Sequence, residues 1–116
     1  MSCVLRVRAQ NLESVLKSTD LRPYRVENGW AHFDVSKATI ANFSRQVADA
    51  IGFLEANAAK LERLAATGSV EATLDFAVAW RDVAVHTDFL PAELVRRAAE
   101  FGFAVELSQY PLAEGE

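Results

Sequence analysis

Cysteine is almost absent from this chain, and the residues that break regular structure are scarce: one cysteine, three prolines and five glycines in 116 residues. A single thiol, Cys3, excludes an internal disulfide and any zinc site built on several cysteines. Its place in the first strand reads as that of a small buried hydrophobe. The glycines stand scattered at 29, 52, 68, 102 and 115, which leaves no glycine-rich loop to cradle a phosphate. No serine occupies the G-x-S-x-G context of a nucleophile elbow, and no histidine neighbours Cys3 in sequence. No apolar run approaches the ~20 residues that span a bilayer, and the N-terminus carries no secretory apolar segment. No membrane partner is therefore expected, and the cytoplasm is the expected location. A strongly basic balance is missing too. The net charge is −4, whereas surfaces that neutralise phosphates are normally basic, so no nucleic-acid partner is expected. The charge is uneven, with the first 25 residues at +3 and the remaining 91 at −7.

What is present is enough apolar material for a core. Hydrophobic residues make up 51% and charged residues 24%, the balance of a globular protein. A chain of this length buries roughly two-thirds of its unfolded surface, so one domain over residues 1–112 is expected. The tail from Ala113 to Glu116 is expected to fray.

Two periodicities divide the chain. Cys3, Leu5 and Val7 alternate with Arg6 and Arg8, the pattern of a half-buried strand. Asn11 can cap a short helix whose inner face is Leu12, Val15 and Leu16. Asn28-Gly29 between Tyr24–Val26 and Trp30–Val35 predicts a hairpin, because a type I′ turn needs two residues at positive φ. From Thr39 to Ala66, Ile40, Phe43, Val47, Ile51, Leu54, Ala58, Leu61 and Ala65 recur at steps of three and four, a single amphipathic helix. Ser36 or Thr39 would start it and Gly68 would follow its end. Residues Val70 to Val85 read as one long strand or two, with alternation clearest in Leu74, Phe76, Val78 and Trp80. Pro91 suits the first turn of another helix, with Leu94, Val95, Ala98 and Phe101 facing in and Gly102 as its stop. Phe103, Val105 and Leu107 form a last strand.

The order β-α-β-β-α-β-α-β predicts an α+β two-layer sandwich: a mixed, mainly antiparallel sheet of four or five strands with helices on one face. A doubly covered parallel sheet is disfavoured, because few strands are apolar on both sides. The long helix strains this picture. Its 28 residues would run about 42 Å at ~1.5 Å each, whereas a domain of this size measures roughly 35 Å across. Either it breaks between Gly52 and Asn57, or it overhangs and meets a partner.

Candidate chemistry is confined to a repeated His-x-Asp. His32 with Asp34, and His86 with Asp88, could each present an imidazole beside a carboxylate, and together they would make a two-histidine, two-carboxylate binding site. Neither pair belongs to a longer motif. The spacing favours instead His32 on the open face of its strand and Asp88 as the cap of the helix opened by Pro91. Arg22, Tyr24, Arg25 and Trp30 could form a small basic-aromatic surface, or Tyr24 and Trp30 could pair across the hairpin. A ligand pocket between sheet and helices would be lined by Trp80 and Phe76. Outside the apolar stripe of the long helix lie Phe53 and Leu64, either an interface, including that of a homodimer, or a flank covered by another helix of the same domain.

The opening Cys3–Arg8 strand, Phe53-Leu54 and Leu61-x-x-Leu64 in the long helix, and Leu74-Asp75-Phe76 resemble a family of small uncharacterised bacterial domains. Leu90-Pro91-x-Glu93-Leu94 and the Gly102 link to the final strand carry the same resemblance. It implies a role as an immunity-like or accessory protein of toxin systems, and it assigns no catalytic residues. No cofactor and no resident metal are expected. The expected role is a non-enzymatic protein-interaction module; the alternatives are a small metal-dependent enzyme using the His-x-Asp pairs and a small-molecule-binding domain.

Overall fold

The computed structural model of the chain describes residues 1–111, so the expected fraying of Ala113–Glu116 lies outside the described residues. Alternation makes the first strand, β1 (Cys3–Ala9): Cys3, Leu5 and Val7 are buried, and Arg6 and Arg8 point to the other side. Helix α1 (Leu12–Thr19) follows and ends at Asp20 in a left-handed conformation. The hairpin of β2 (Arg25–Glu27) and β3 (Trp30–Ser36) turns on Asn28 at φ 53° and Gly29 at φ 82°, the two positive values that its type I′ chemistry requires.

The single helix expected over 39–66 is two helices. Residues 39–42 form a turn, closed by the Asn42 amide donating to the Thr39 carbonyl at 3.0 Å. Asn42 caps α2 (Phe43–Ala56), its side-chain oxygen accepting from the Arg45 amide at 3.2 Å. Ser36 starts no helix; it ends β3 and its hydroxyl donates to Asp49 at 2.7 Å. The interruption falls at Asn57, the last residue of the expected Gly52–Asn57 window. Its Nδ2 donates to the Phe53 carbonyl at 2.9 Å, and its own carbonyl accepts from Leu61 at 2.9 Å. Asn57 thus closes α2 and opens α3 (Ala58–Ala66) without resetting the apolar phase, since Leu54, Leu61 and Leu64 all reach the core.

Strand β4 (Val70–Trp80) stops where alternation fails. Val78 and Ala79 are both buried and Trp80 is exposed, so residues 81–91 leave the sheet as irregular chain instead of continuing to Val85. Pro91 is the N-cap of α4 (Ala92–Glu100), and no side chain caps that end, so Asp88 does not do so. Leu94, Ala98 and Phe101 face in, whereas Val95 faces out. At the helix end the Phe103 amide donates to Ala98 and the Gly102 amide to Ala99, both at 2.9 Å, with Gly102 at φ 73°. This is a Schellman stop, and it launches β5 (Ala104–Pro111).

The five strands lie in the order β2-β3-β1-β4-β5. β1 runs antiparallel to both β3 and β4, and β5 runs parallel to β4 through the α4 crossover. The sheet is therefore mixed and mainly antiparallel, with the helices on one face. Leu5, Phe33, Leu74 and Phe76 meet Val47, Leu54, Leu61, Leu64 and Leu94 in a single core. Among the described residues no helix lies on the opposite face of the sheet.

Candidate functional site

The two His-x-Asp pairs sit in different surroundings. His32 and Asp34 share the open face of β3, with no hydrogen bond between them among the described residues. The Tyr24 ring lies 6.1 Å from the His32 ring, and Asp34 faces Lys37 at 3.6 Å. Burial, then Arg25 and Arg6, which flank His32 on the neighbouring strands, hold its pKa below the ordinary value of 6.5. His86 and Asp88 lie on the irregular segment after β4. Arg81 Nη1 is 3.1 Å from His86 Nδ1, and His86 Nε2 is 3.0 Å from Asp88 Oδ2. A guanidinium can only donate, so Nδ1 accepts and the neutral ring carries its proton on Nε2, directed at Asp88. Both ring nitrogens are thereby engaged. Among the described residues no group of three or more His, Cys, Asp or Glu could hold a metal ion, so the four residues His32, Asp34, His86 and Asp88 do not assemble into one site.

The open face of the sheet is a lattice of ion pairs. Arg6 on β1 donates to Asp75 on β4 at 2.8 Å and also reaches Glu106 on β5. Ser108 donates to Asp75 at 2.7 Å. Arg8 donates to both oxygens of Glu71 at 3.0 Å while its guanidinium lies 5.0 Å from the centre of the Trp30 ring. This corrects the expected Tyr24–Trp30 pair: Tyr24 packs on His32, and Trp30 stands opposite Glu27 and Arg8. The arginines here neutralise carboxylates within the domain. Cys3 lies beneath this face, fully buried; desolvation, then the charges of Asp75, Asp34 and Asp49, push its thiol far above the usual range, which makes it a poor nucleophile.

The pocket expected between sheet and helices is filled. Phe76 is fully buried with Phe43 packed edge-on at 5.7 Å, and Trp80 is turned out to solvent. A cleft of about 780 Å³ instead lies at one end of the sheet among Met1, Val4, Ile40, Ala77, Tyr110 and Pro111.

Nor are Phe53 and Leu64 available as a helix-flank interface. Leu64 is 0% exposed, and Phe53 packs partly buried beside Leu21 and Phe33. Helix α1 covers this flank: Arg63 donates to the Thr19 carbonyl at 3.4 Å and Lys60 faces Asp20 at 3.7 Å, cations placed at the negative end of α1.

The exposed apolar surface is elsewhere. Of the eleven large hydrophobic side chains exposed among the described residues, eight lie between Trp80 and Tyr110. They belong to the β4 end, the 81–91 segment, α4 and β5. Among the described residues strand β5 pairs only with β4, and they leave its outer edge open. Val105 and Leu107 stand opposite Leu74 and Phe76, on the helix side of the sheet, yet are 37% and 40% exposed. The other edge is guarded: β2 has three residues and presents the Arg25–Glu27 ion pair at 3.3 Å. Nothing in the alternation of Val105 and Leu107 marks them as edge residues. The only hint in the sequence is a last strand that carries one charge.

No family model matches the chain, and comparisons with curated proteins and with solved structures found no match either.

Proposed function

We propose that this chain is a non-enzymatic protein-interaction module that docks a strand of its partner onto the β5 edge. The observation that carries the proposal is an eight-residue edge strand with an open backbone and exposed Val105 and Leu107. Unpaired strand edges of this length are templates for another strand, and proteins that do not use them cover or charge them. In strand addition the main chain supplies affinity and alternate side chains supply selectivity. Val105 and Leu107 are placed for that second task. A bacterial immunity-like or accessory role, implied by the family resemblance, fits a domain that acts by occupying a partner. Among the described residues the engaged His86 and the ion pairs of the open face leave no poised acid, base or nucleophile to favour the enzyme alternative.

A photo-crosslinking residue placed in turn at Val105, Leu107 and Glu27, in cells that make the protein naturally, tests this. Protein adducts are expected at 105 or 107, those at 107 lost when Val105→Lys is added and those at 105 lost when Leu107→Lys is added, and none are expected at 27. Adducts at 27 alone, or none at any position, would refute it.

A further inference from the structure

We infer that the strand completing the edge is β5 of a second copy of this chain, set antiparallel about a two-fold axis so that two five-stranded sheets continue as one. The inference rests on the docking reading of β5 above and adds the identity of the partner. A two-fold axis perpendicular to the sheet makes one residue of β5 face its own copy and pairs the others symmetrically about it. Like charges that meet across the axis oppose such pairing. β5 carries a single charge, Glu106, and Arg6 of the same domain already engages it.

The charge excludes one register, and the exposed apolar pair favours another. Centring the pair on Glu106 would oppose two carboxylates, which is destabilising. Centring it on Leu107 places leucine against leucine on the helix side, sets Val105 opposite Gln109 and diagonal to Leu107, and puts Glu106 opposite Ser108. Val105 and Leu107, the exposed apolar residues on the helix side of the strand, then bury each other. Because the axis is perpendicular to the sheet, both helical layers lie on the same side of the joined sheet. Helix α4 packs against β5. Eight residues at about 3.3 Å each give a seam of roughly 26 Å.

Sedimentation and light scattering of the purified chain between about 1 and 100 μM bracket a micromolar association. The mass is expected to rise toward twice 12.8 kDa across that range. Leu107→Lys is expected to hold the protein at 12.8 kDa with its circular dichroism unchanged, since the side chain is already partly in solvent. A second variant tests the register. Residues facing each other in an antiparallel pair have Cα atoms about 4.5–5.5 Å apart, within disulfide range. Under mild oxidation Leu107→Cys is expected to crosslink two copies and Val26→Cys is not, while buried Cys3 stays reduced. A dimer that Leu107→Lys leaves intact, or that Leu107→Cys does not crosslink, overturns the inference. A chain monomeric throughout overturns it as well. In that case foreign-protein adducts at Val105 or Leu107 in cells would leave the docking reading standing, and their absence would remove both.

Discussion

Leu64→Ala separates the two accounts of the off-stripe helix flank. In the structure Leu64 is 0% exposed in α3 and belongs to the same core as Leu61, Leu54 and Leu74, under the cover of α1. Truncating a fully buried leucine costs about 2–5 kcal/mol, combining lost transfer energy with the cavity left behind. The walls here are two helices tied by the Arg63–Thr19 hydrogen bond and the Lys60–Asp20 ion pair, which limits collapse into the void. The middle of the range, about 3 kcal/mol, is a large share of the ~5–15 kcal/mol available to a domain of this kind. At roughly 3–5 °C per kcal/mol for a chain of this length, the melting temperature should fall by about 10–15 °C. Thermal melts followed by circular dichroism, with urea denaturation as a check, measure it. A surface leucine reserved for a partner would change stability by no more than about 0.5 kcal/mol and would alter association instead. A melting temperature within about 2 °C of the parent would therefore refute the burial of Leu64 and restore the helix flank as an interface.

Gly52 lies inside α2 with normal helical φ, and a Cβ added there would meet no atom within 4 Å. Gly52→Ala should stabilise the domain by about 0.5–1 kcal/mol, read as a raised urea midpoint; a lowered midpoint would show hidden strain. His32 binds its proton less readily folded than unfolded, so the unfolded state takes up protons first as pH falls below 6.5. Its stabilising contribution is present above that pH and is lost as pH drops from 6.5 through the lower folded value. Melting temperatures of the parent and of His32→Gln should run parallel above neutrality and converge or cross below it; parallel curves down to pH 5 would contradict the sign. The buried Cys3 thiol should resist alkylation in the native protein and react at once in denaturant, and rapid native labelling would show that β1 opens.

Local chemistry was readable where a few adjacent residues decide the structure. Asn28-Gly29 fixes a hairpin through two positive φ values, and Gly102 fixes the α4 stop, because each depends on nothing distant. Leu5, Phe33 and Leu74 were readable as core for a similar reason: period two places them on one face whatever their neighbours. The interruption at Asn57 was bounded by the length of a domain, but its position needed the Asn57 side chain to find the Phe53 carbonyl. Strand order is another matter. Val105 and Leu107 alternate as well as Leu74 and Phe76 do, and they differ only because β5 is last in the sheet. Phe53 and Leu64 show the converse, since distant segments decide how far each is covered: α1 across α3 for Leu64, and Leu21 with Phe33 of β3 for Phe53. The His-x-Asp spacing likewise said nothing about Arg81, which sets the His86 tautomer from five residues away.

Amide hydrogen exchange along β5 tests the central claim most directly, in purified protein compared dilute and concentrated. The β5 amides that do not bond to β4 should exchange freely when dilute and slow markedly at high concentration, while those of β2 stay unchanged. Exchange along β5 that is the same at both concentrations, or protection gained at β2 or on the open face instead, would contradict the edge pairing.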